Sequence, residues 1–242
     1  MEQCWDLIEA VERCDIICTI RLLGDGKNPN ARDERGWTPL HYAVRCGVAM
    51  VRTLLRDGAD ADVADDRGET PLHIAAALGL DEVVKLLLAH EKRLNVNVQD
   101  DRGCTPLHEA ATWHHASTVQ LLLLSGADPN IRNSSGYTPL HQALLLMGRY
   151  IDVVKLLLEA GADPNAKTHE GRTPLHMAVL HDDPRLVSLL LKYGADPTIK
   201  DSNGKTPLDF AKERGKMKAA EVIVRAMSST RRRKPGRKHL HA

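Results

Sequence analysis

Histidines are the residues of this 242-residue chain best suited to metal binding or acid–base catalysis, and there are 12 of them. Five of these histidines are the last residue of a repeated four-residue motif, and the first copy of this motif is Thr38-Pro39-Leu40-His41. A metal site needs several imidazoles to converge, whereas equivalent positions on neighbouring packed helices stay about 10 Å apart. We therefore predict a structural role for the motif histidines, which are His41, His73, His108, His141 and His176.

No other group of residues points to catalysis. His114 and His115 are adjacent, and adjacent helix positions point in different directions, so a surface or loop role is favoured over metal binding. Gly204-Lys205-Thr206 lacks the preceding glycine of a phosphate-binding loop, and the common hydrolase and metalloprotease motifs are absent. We expect no catalytic, cofactor-binding or metal-binding residue and predict that the chain is not an enzyme.

The five cysteines are odd in number and follow no Cys-x-x-Cys spacing. Cys14 and Cys18 are one helical turn apart, but no nearby cluster completes a metal site. We predict reduced thiols that pack as small apolar residues, which favours an intracellular, cytoplasmic protein. The N-terminus shows no secretory signal, and no apolar run approaches the ~20 residues that span a membrane.

The histidine motif recurs at a nearly fixed period, which indicates a protein built from stacked repeats. A sixth copy ends in Asp209 instead of histidine. Within a unit, Thr70 is suited to cap a helix, Pro71 to occupy its first position and Gly79 to end it, and a second helix follows from Asp81. The motif threonines are Thr38, Thr70, Thr105, Thr138, Thr173 and Thr206.

This pattern resembles the ankyrin repeat family, and the resemblance covers residues 3 to about 227. It implies an all-α solenoid of stacked helix–turn–helix units with short β-hairpin loops. It also implies that each motif histidine binds the motif threonine and the backbone of an adjacent loop. We delimit an N-terminal capping repeat at residues 1–32, five full repeats at residues 33–201 and a C-terminal capping repeat at residues 202–227.

Two repeats are longer than the others, through insertions near His90–Asn95 and near Leu146–Tyr150. Insertions in repeat proteins map to loops on one face, which is often the binding face. A drift in loop length without function explains them equally well.

The resemblance implies that a partner protein binds the concave face formed by the loop tips and the first helices. The matching positions hold a patch of aromatic and apolar residues rimmed by arginines, which are frequent in binding hot spots. Alternatively, Trp113 and Leu145 bury against neighbouring repeats. The predicted partner-binding residues are Trp37, Arg45, Arg67, Leu78, Arg102, Trp113, Tyr137, Leu145, Leu146 and His181.

Residues 228–242 are predicted to form a disordered basic tail, because their composition cannot bury a core. The tail admits three interpretations: a nuclear-import signal, a nucleic-acid contact or a solvated end. Its positive residues are Arg231, Arg232, Arg233, Lys234, Arg237 and Lys238.

These observations favour a non-catalytic scaffold or adaptor that binds another protein as a monomer, without a cofactor and away from membranes. The alternative is a nucleic-acid-associated or nuclear regulator that uses the basic tail. We expect a cytoplasmic location, or a nuclear one if the source is eukaryotic.

Overall fold

The computed structural model describes residues 6–90, 94–146 and 150–232, and only the backbone of residues 150 and 229–232. The described residues form fourteen α-helices and no β-strand, so the all-α prediction is confirmed. The loops that were predicted to be β-hairpins are turns without strands in the described residues. The chain divides into two compact units, residues 1–160 and 161–242.

The first unit contains two helices per repeat. The first helices of successive repeats pack against one another, and the second helices form another layer beside them. The first helices are α1 (Leu7–Glu12), α3 (Pro39–Cys46), α5 (Pro71–Ala77), α7 (Pro106–Thr112) and α9 (Pro139–Gln142). The second helices are α2 (Ile16–Gly24), α4 (Val48–Arg56), α6 (Asp81–His90), α8 (Ala116–Leu124) and α10 (Tyr150–Glu159).

The second unit contains the last four helices, in which α11 packs on α13 and α12 packs on α14. None of the described helices is both long and apolar enough to cross a membrane. The helices are α11 (Pro174–Ala178), which continues as a 3-10 turn (Val179–His181), then α12 (Pro184–Lys192), α13 (Pro207–Glu213) and α14 (Met217–Arg232).

The boundary of the predicted tail is corrected by α14. Composition places residues 228–232 in the disordered tail, but they continue this helix to Arg232. The helix buries Ala219, Ala220 and Ile223, and once this part has formed, each further residue adds a hydrogen bond without a new nucleation step. Arg233, Lys234, Arg237 and Lys238 lie outside the described residues, as do parts of both insertions (91–93 and 147–149).

Four motif histidines each join their own helix start to the next loop. Nδ1 of His41 accepts from the backbone N–H of Thr38 and lies 2.9 Å from its hydroxyl oxygen. Nε2 lies 3.0 Å from the carbonyl oxygen of Glu69 in the next repeat. Because a carbonyl can only accept, Nε2 carries the proton. The same bond to the next loop joins His73 to Cys104, His108 to Tyr137 and His176 to Lys205.

Burial disfavours the protonated form of these imidazoles. It lowers the pKa of His41, His73 and His176, and it lowers the pKa of His108 to about 4. A buried imidazole is more stable in the neutral form, which is the form that this hydrogen-bond pattern requires. The structural interpretation of the motif histidines therefore agrees with their geometry.

Successive loops approach each other closely at their tips. The backbone N–H of Asp101 donates to the carbonyl of Arg67, and that of Ser134 donates to Arg102. Gly103 has a φ of 73°, and a Cβ there would lie 2.9 Å from the backbone nitrogen of Ser134. Glycine is therefore required both by the left-handed turn and by the contact with the next loop.

The prediction of reduced cysteines is wrong for the first two repeats. Cys14 and Cys46 form a disulfide, with their Cα atoms 5.3 Å apart, and Cys18 is also disulfide-bonded. Cys14 follows α1 and Cys46 ends α3, and these two helices pack together. Cys104 is a buried free thiol. The argument from reduced cysteines to an intracellular compartment therefore loses its support.

Candidate interaction surface

Four large apolar side chains are exposed where the first helices of repeats three to five end. They lie at equivalent places because each follows the last turn of α5, α7 or α9. After Leu78 and Trp113 the chain enters the left-handed conformation, at Gly79 and His114, which ends the helix. We call these four residues the apolar row, and their exposed fractions are 45% for Leu78, 55% for Trp113, 47% for Leu145 and 41% for Leu146.

Two aromatic residues of the predicted surface are committed to internal contacts. The indole of Trp37 stacks on His41, and its Nε1 donates to Asp65 Oδ2 over 2.8 Å. The ring of Tyr137 meets His141 edge-on, with centroids 5.7 Å apart. Both residues are half-buried, so each offers only part of its ring to a partner.

The predicted arginines differ in how firmly they are held. The guanidinium of Arg45 lies over Trp37, 5.7 Å from the ring centroid. Arg67 is exposed. Arg102 donates to Asp100, Glu69 and Glu109, with its nearest contacts at 2.8 Å to Asp100 and Glu109. The arginine rim is therefore partly a network of ion pairs within the repeat stack.

A groove of about 150 Å³ brings three of the predicted residues together, namely Trp37, Arg45 and Leu78. Its lining also includes Ile74 and Glu109, which are not among the predicted residues. Both directly follow a motif histidine, so their place in the repeat was the signal that could have identified them. The remaining lining residues are Glu69, His73 and Ala77.

A second groove, of about 260 Å³, lies between loop tips and includes Arg67 beside Trp37. Trp113, Tyr137, Leu145 and Leu146 line neither groove. The predicted residue His181 is half-buried in the second unit, at the end of the 3-10 turn.

Potential metal ligands converge at one place within the described ranges. The ligand atoms of Asp100, Cys104 and Glu109 lie within 4.8 Å of one another. Arg102 donates to both carboxylates, so a protein cation already neutralises part of their charge. Burial raises the pKa of the Cys104 thiol, which disfavours the thiolate that a metal would bind. We therefore assign this cluster to the ion-pair network.

Comparison with known families identifies the repeats. Models described as "Ankyrin repeats (3 copies)" match residues 7–100 and 92–168, and one described as "Ankyrin repeats (many copies)" matches residues 157–211. The chain belongs to the ankyrin repeat family. Ankyrin repeats are typically non-catalytic modules that mediate protein–protein interaction.

A solved ankyrin repeat structure is similar over most of this chain. It is the ankyrin repeat domain of Bcl-3, described as a unique member of the IkappaB protein family. The sequences are 30% identical, the TM-score is 0.77, and the match covers 90% of this chain and 97% of the other. A comparison with curated proteins gives no match.

Proposed function

We propose that this ankyrin repeat protein is a non-catalytic scaffold or adaptor that binds a partner protein at the apolar row of its first unit. The proposal depends on the 41–55% exposure of four large apolar side chains in three successive repeats. Exposed apolar side chains that recur at neighbouring positions mark interaction sites more often than single ones do. The first helices that precede them pack side by side, so the row continues from repeat to repeat.

The backbone that carries the row is fixed by hydrogen bonds between repeats. Nε2 of His115 binds the carbonyl of Ala77, which precedes Leu78. Nε2 of His114 binds the carbonyl of Ala143, shortly before Leu145. A surface held in this way loses little conformational entropy when a partner binds, so more of the contact energy contributes to affinity.

The proposal is tested by affinity purification from the native source, with the full chain as bait. A Leu78→Ser, Trp113→Ser, Leu145→Ser variant is compared with wild type and with a Leu124→Ser control. Leu124 is 78% exposed but lies on the second-helix layer, in α8.

We expect the triple variant to lose the proteins that wild type recovers and the control to retain them. Circular dichroism checks that each bait is folded. Equal recovery by the folded triple variant would contradict the proposal. No observation on the described residues favours the nucleic-acid alternative, and we do not propose it.

A further inference from the structure

Acidic side chains gather beside the groove that Trp37 and Leu78 line. Glu69 and Glu109 belong to the lining, and Asp100 lies behind them. All three bind the same guanidinium, that of Arg102, at 3.2 Å for Glu69 and 2.8 Å for each of the other two. Three carboxylates therefore share one ion-pair partner here.

The carboxylates of the groove are only partly compensated. Burial raises the pKa of Glu69, the charges of Asp65 and Asp100 act in the same direction, and Arg102 and Arg67 oppose the change. Burial also raises the pKa of Glu109, even though Arg102 opposes that change. The Glu109 side chain is only 14% exposed, so water solvates its charge poorly. An additional positive charge at this place would stabilise both ionised carboxylates.

The two other basic residues of the lining make their described contacts with groups other than these carboxylates. Nε2 of His73 is bound to the carbonyl of Cys104, and burial lowers the pKa of this imidazole, so it stays neutral. The guanidinium of Arg45 lies over the Trp37 ring.

Half of the eight lining residues of the groove are apolar, and the groove is small. Ile74 is buried, and Ala77, Leu78 and the Trp37 ring complete the apolar lining. The volume of about 150 Å³ is below the ~300–1,000 Å³ of sites for drug-sized ligands and matches a single side chain. A small groove with apolar residues beside carboxylates fits a side chain with an aliphatic stem and a cationic head.

We propose that this groove receives a lysine or arginine side chain of the partner protein, with its stem against Ile74 and Leu78 and its charge beside Glu69 and Glu109. The inference rests on the function proposed above, because it specifies the partner that binds next to the apolar row. It predicts a partner segment that presents a basic residue close to aromatic or aliphatic residues.

The inference is tested with peptides in place of the partner. A displayed library of random 12-residue peptides is selected for binding to the full chain. We expect enriched peptides to carry Lys or Arg beside an apolar residue. Replacing that Lys or Arg by norleucine, which keeps an aliphatic stem and removes the charge, should weaken binding at least about tenfold. A Glu69→Gln, Glu109→Gln variant should have a similar effect. The control is Glu82→Gln, an exposed carboxylate on α6 that pairs with Lys85.

The outcomes separate the inference from the proposed function. Peptides that lose affinity for the Trp113→Ser, Leu145→Ser variant but bind the Glu69→Gln, Glu109→Gln variant as tightly as wild type would overturn the inference and leave the proposed function standing. Enrichment of peptides that lack a basic residue would likewise overturn the inference and leave the proposed function standing. Selection of no peptide, or of peptides insensitive to both sets of substitutions, would count against both.

Discussion

His114 and His115 are neighbours in the sequence but bind opposite neighbours in the repeat stack. Nε2 of His115 lies 3.1 Å from the carbonyl oxygen of Ala77 in the preceding repeat, and Nε2 of His114 lies 3.0 Å from that of Ala143 in the following one. Both carbonyls belong to residues just before members of the apolar row. The pair therefore links three repeats at the place where Trp113 is presented.

Removing either histidine should destabilise the first unit. Each of His114→Ala and His115→Ala leaves a carbonyl without its donor, so we expect a loss of about 1–2 kcal/mol in the free energy of unfolding. Urea denaturation followed by circular dichroism measures this loss. His169→Ala, at an exposed loop position, is the control and should have little effect. A stability equal to wild type in both variants would contradict the role assigned to the pair.

Gly79 should be sensitive to substitution because His115 occupies the space beside it. The Gly79 φ is 65°, and an added Cβ would overlap the His115 ring. Gly215 has nearly the same φ, 66°, with no atom within 4 Å of the added Cβ. We expect Gly79→Ala to destabilise by about 1 kcal/mol more than Gly215→Ala, because only the former displaces His115 and breaks its hydrogen bond.

A double-mutant cycle identifies the source of that difference. In a His115→Ala background, Gly79→Ala should retain the strain of the left-handed backbone but lose the extra effect of the imidazole. Equal effects of Gly79→Ala with and without His115 would show that the ring moves aside without consequence.

The motif histidines should make the protein less stable in mild acid. Burial lowers the pKa of His108 from 6.5 to about 4, so the unfolded chain binds more protons than the folded one between these values. The contribution of the neutral buried imidazole to the free energy of unfolding is therefore fully present above pH 6.5. It is lost as the pH falls toward 4, by roughly 3 kcal/mol for His108 alone. The raised pKa values of Glu69 and Glu109 favour the folded state in acid, but they concern two groups, whereas four motif histidines have a lowered pKa.

Urea denaturation at pH 7 and pH 5 measures the acid effect, and the midpoint should be lower at pH 5. Nuclear magnetic resonance titration of the His108 ring provides a direct check. A ring that titrates near 6.5 in the folded protein would contradict the burial argument.

The Cys14–Cys46 disulfide should stabilise the first two repeats. It closes a loop with a sequence separation of 32, for which loop-closure entropy predicts about 3–4 kcal/mol. A Cys14→Ser, Cys46→Ser variant isolates this bond from the one at Cys18, and its free energy of unfolding should fall by that amount. Thiol titration of the unfolded, unreduced wild-type chain checks the premise. Five reactive thiols would show that the bond is absent.

The repeat architecture was predictable because one short motif encodes two contacts. Thr38 and His41 form the local helix cap, and the same histidine reaches the next loop, so the residue types specify both the element and its neighbour. The disulfide was missed because local spacing alone does not reveal it. The separation of 32 residues between Cys14 and Cys46 is one repeat, which places them at adjacent helix ends.

The candidate surface was predictable only in part. Leu78 and Trp113 follow the last turn of a first helix, so their positions in the repeat indicated exposure. The sequence could not show that the Trp37 ring is used by His41 and Asp65, since that depends on contacts between repeats. Ile74 and Glu109 were not predicted because they stand beside a motif whose role is structural.

Hydroxyl-radical footprinting of the full chain, alone and in complex with the partner recovered by affinity purification, shows directly whether the apolar row contacts the partner. It reports side-chain accessibility residue by residue, and Leu124 on α8 and Ile17 on α2, both 78% exposed, serve as internal controls. We expect complex formation to protect Leu78, Trp113 and Leu145 from oxidation and to leave the two controls unchanged. Protection of Leu124 or Ile17 with no change along the apolar row would contradict this expectation.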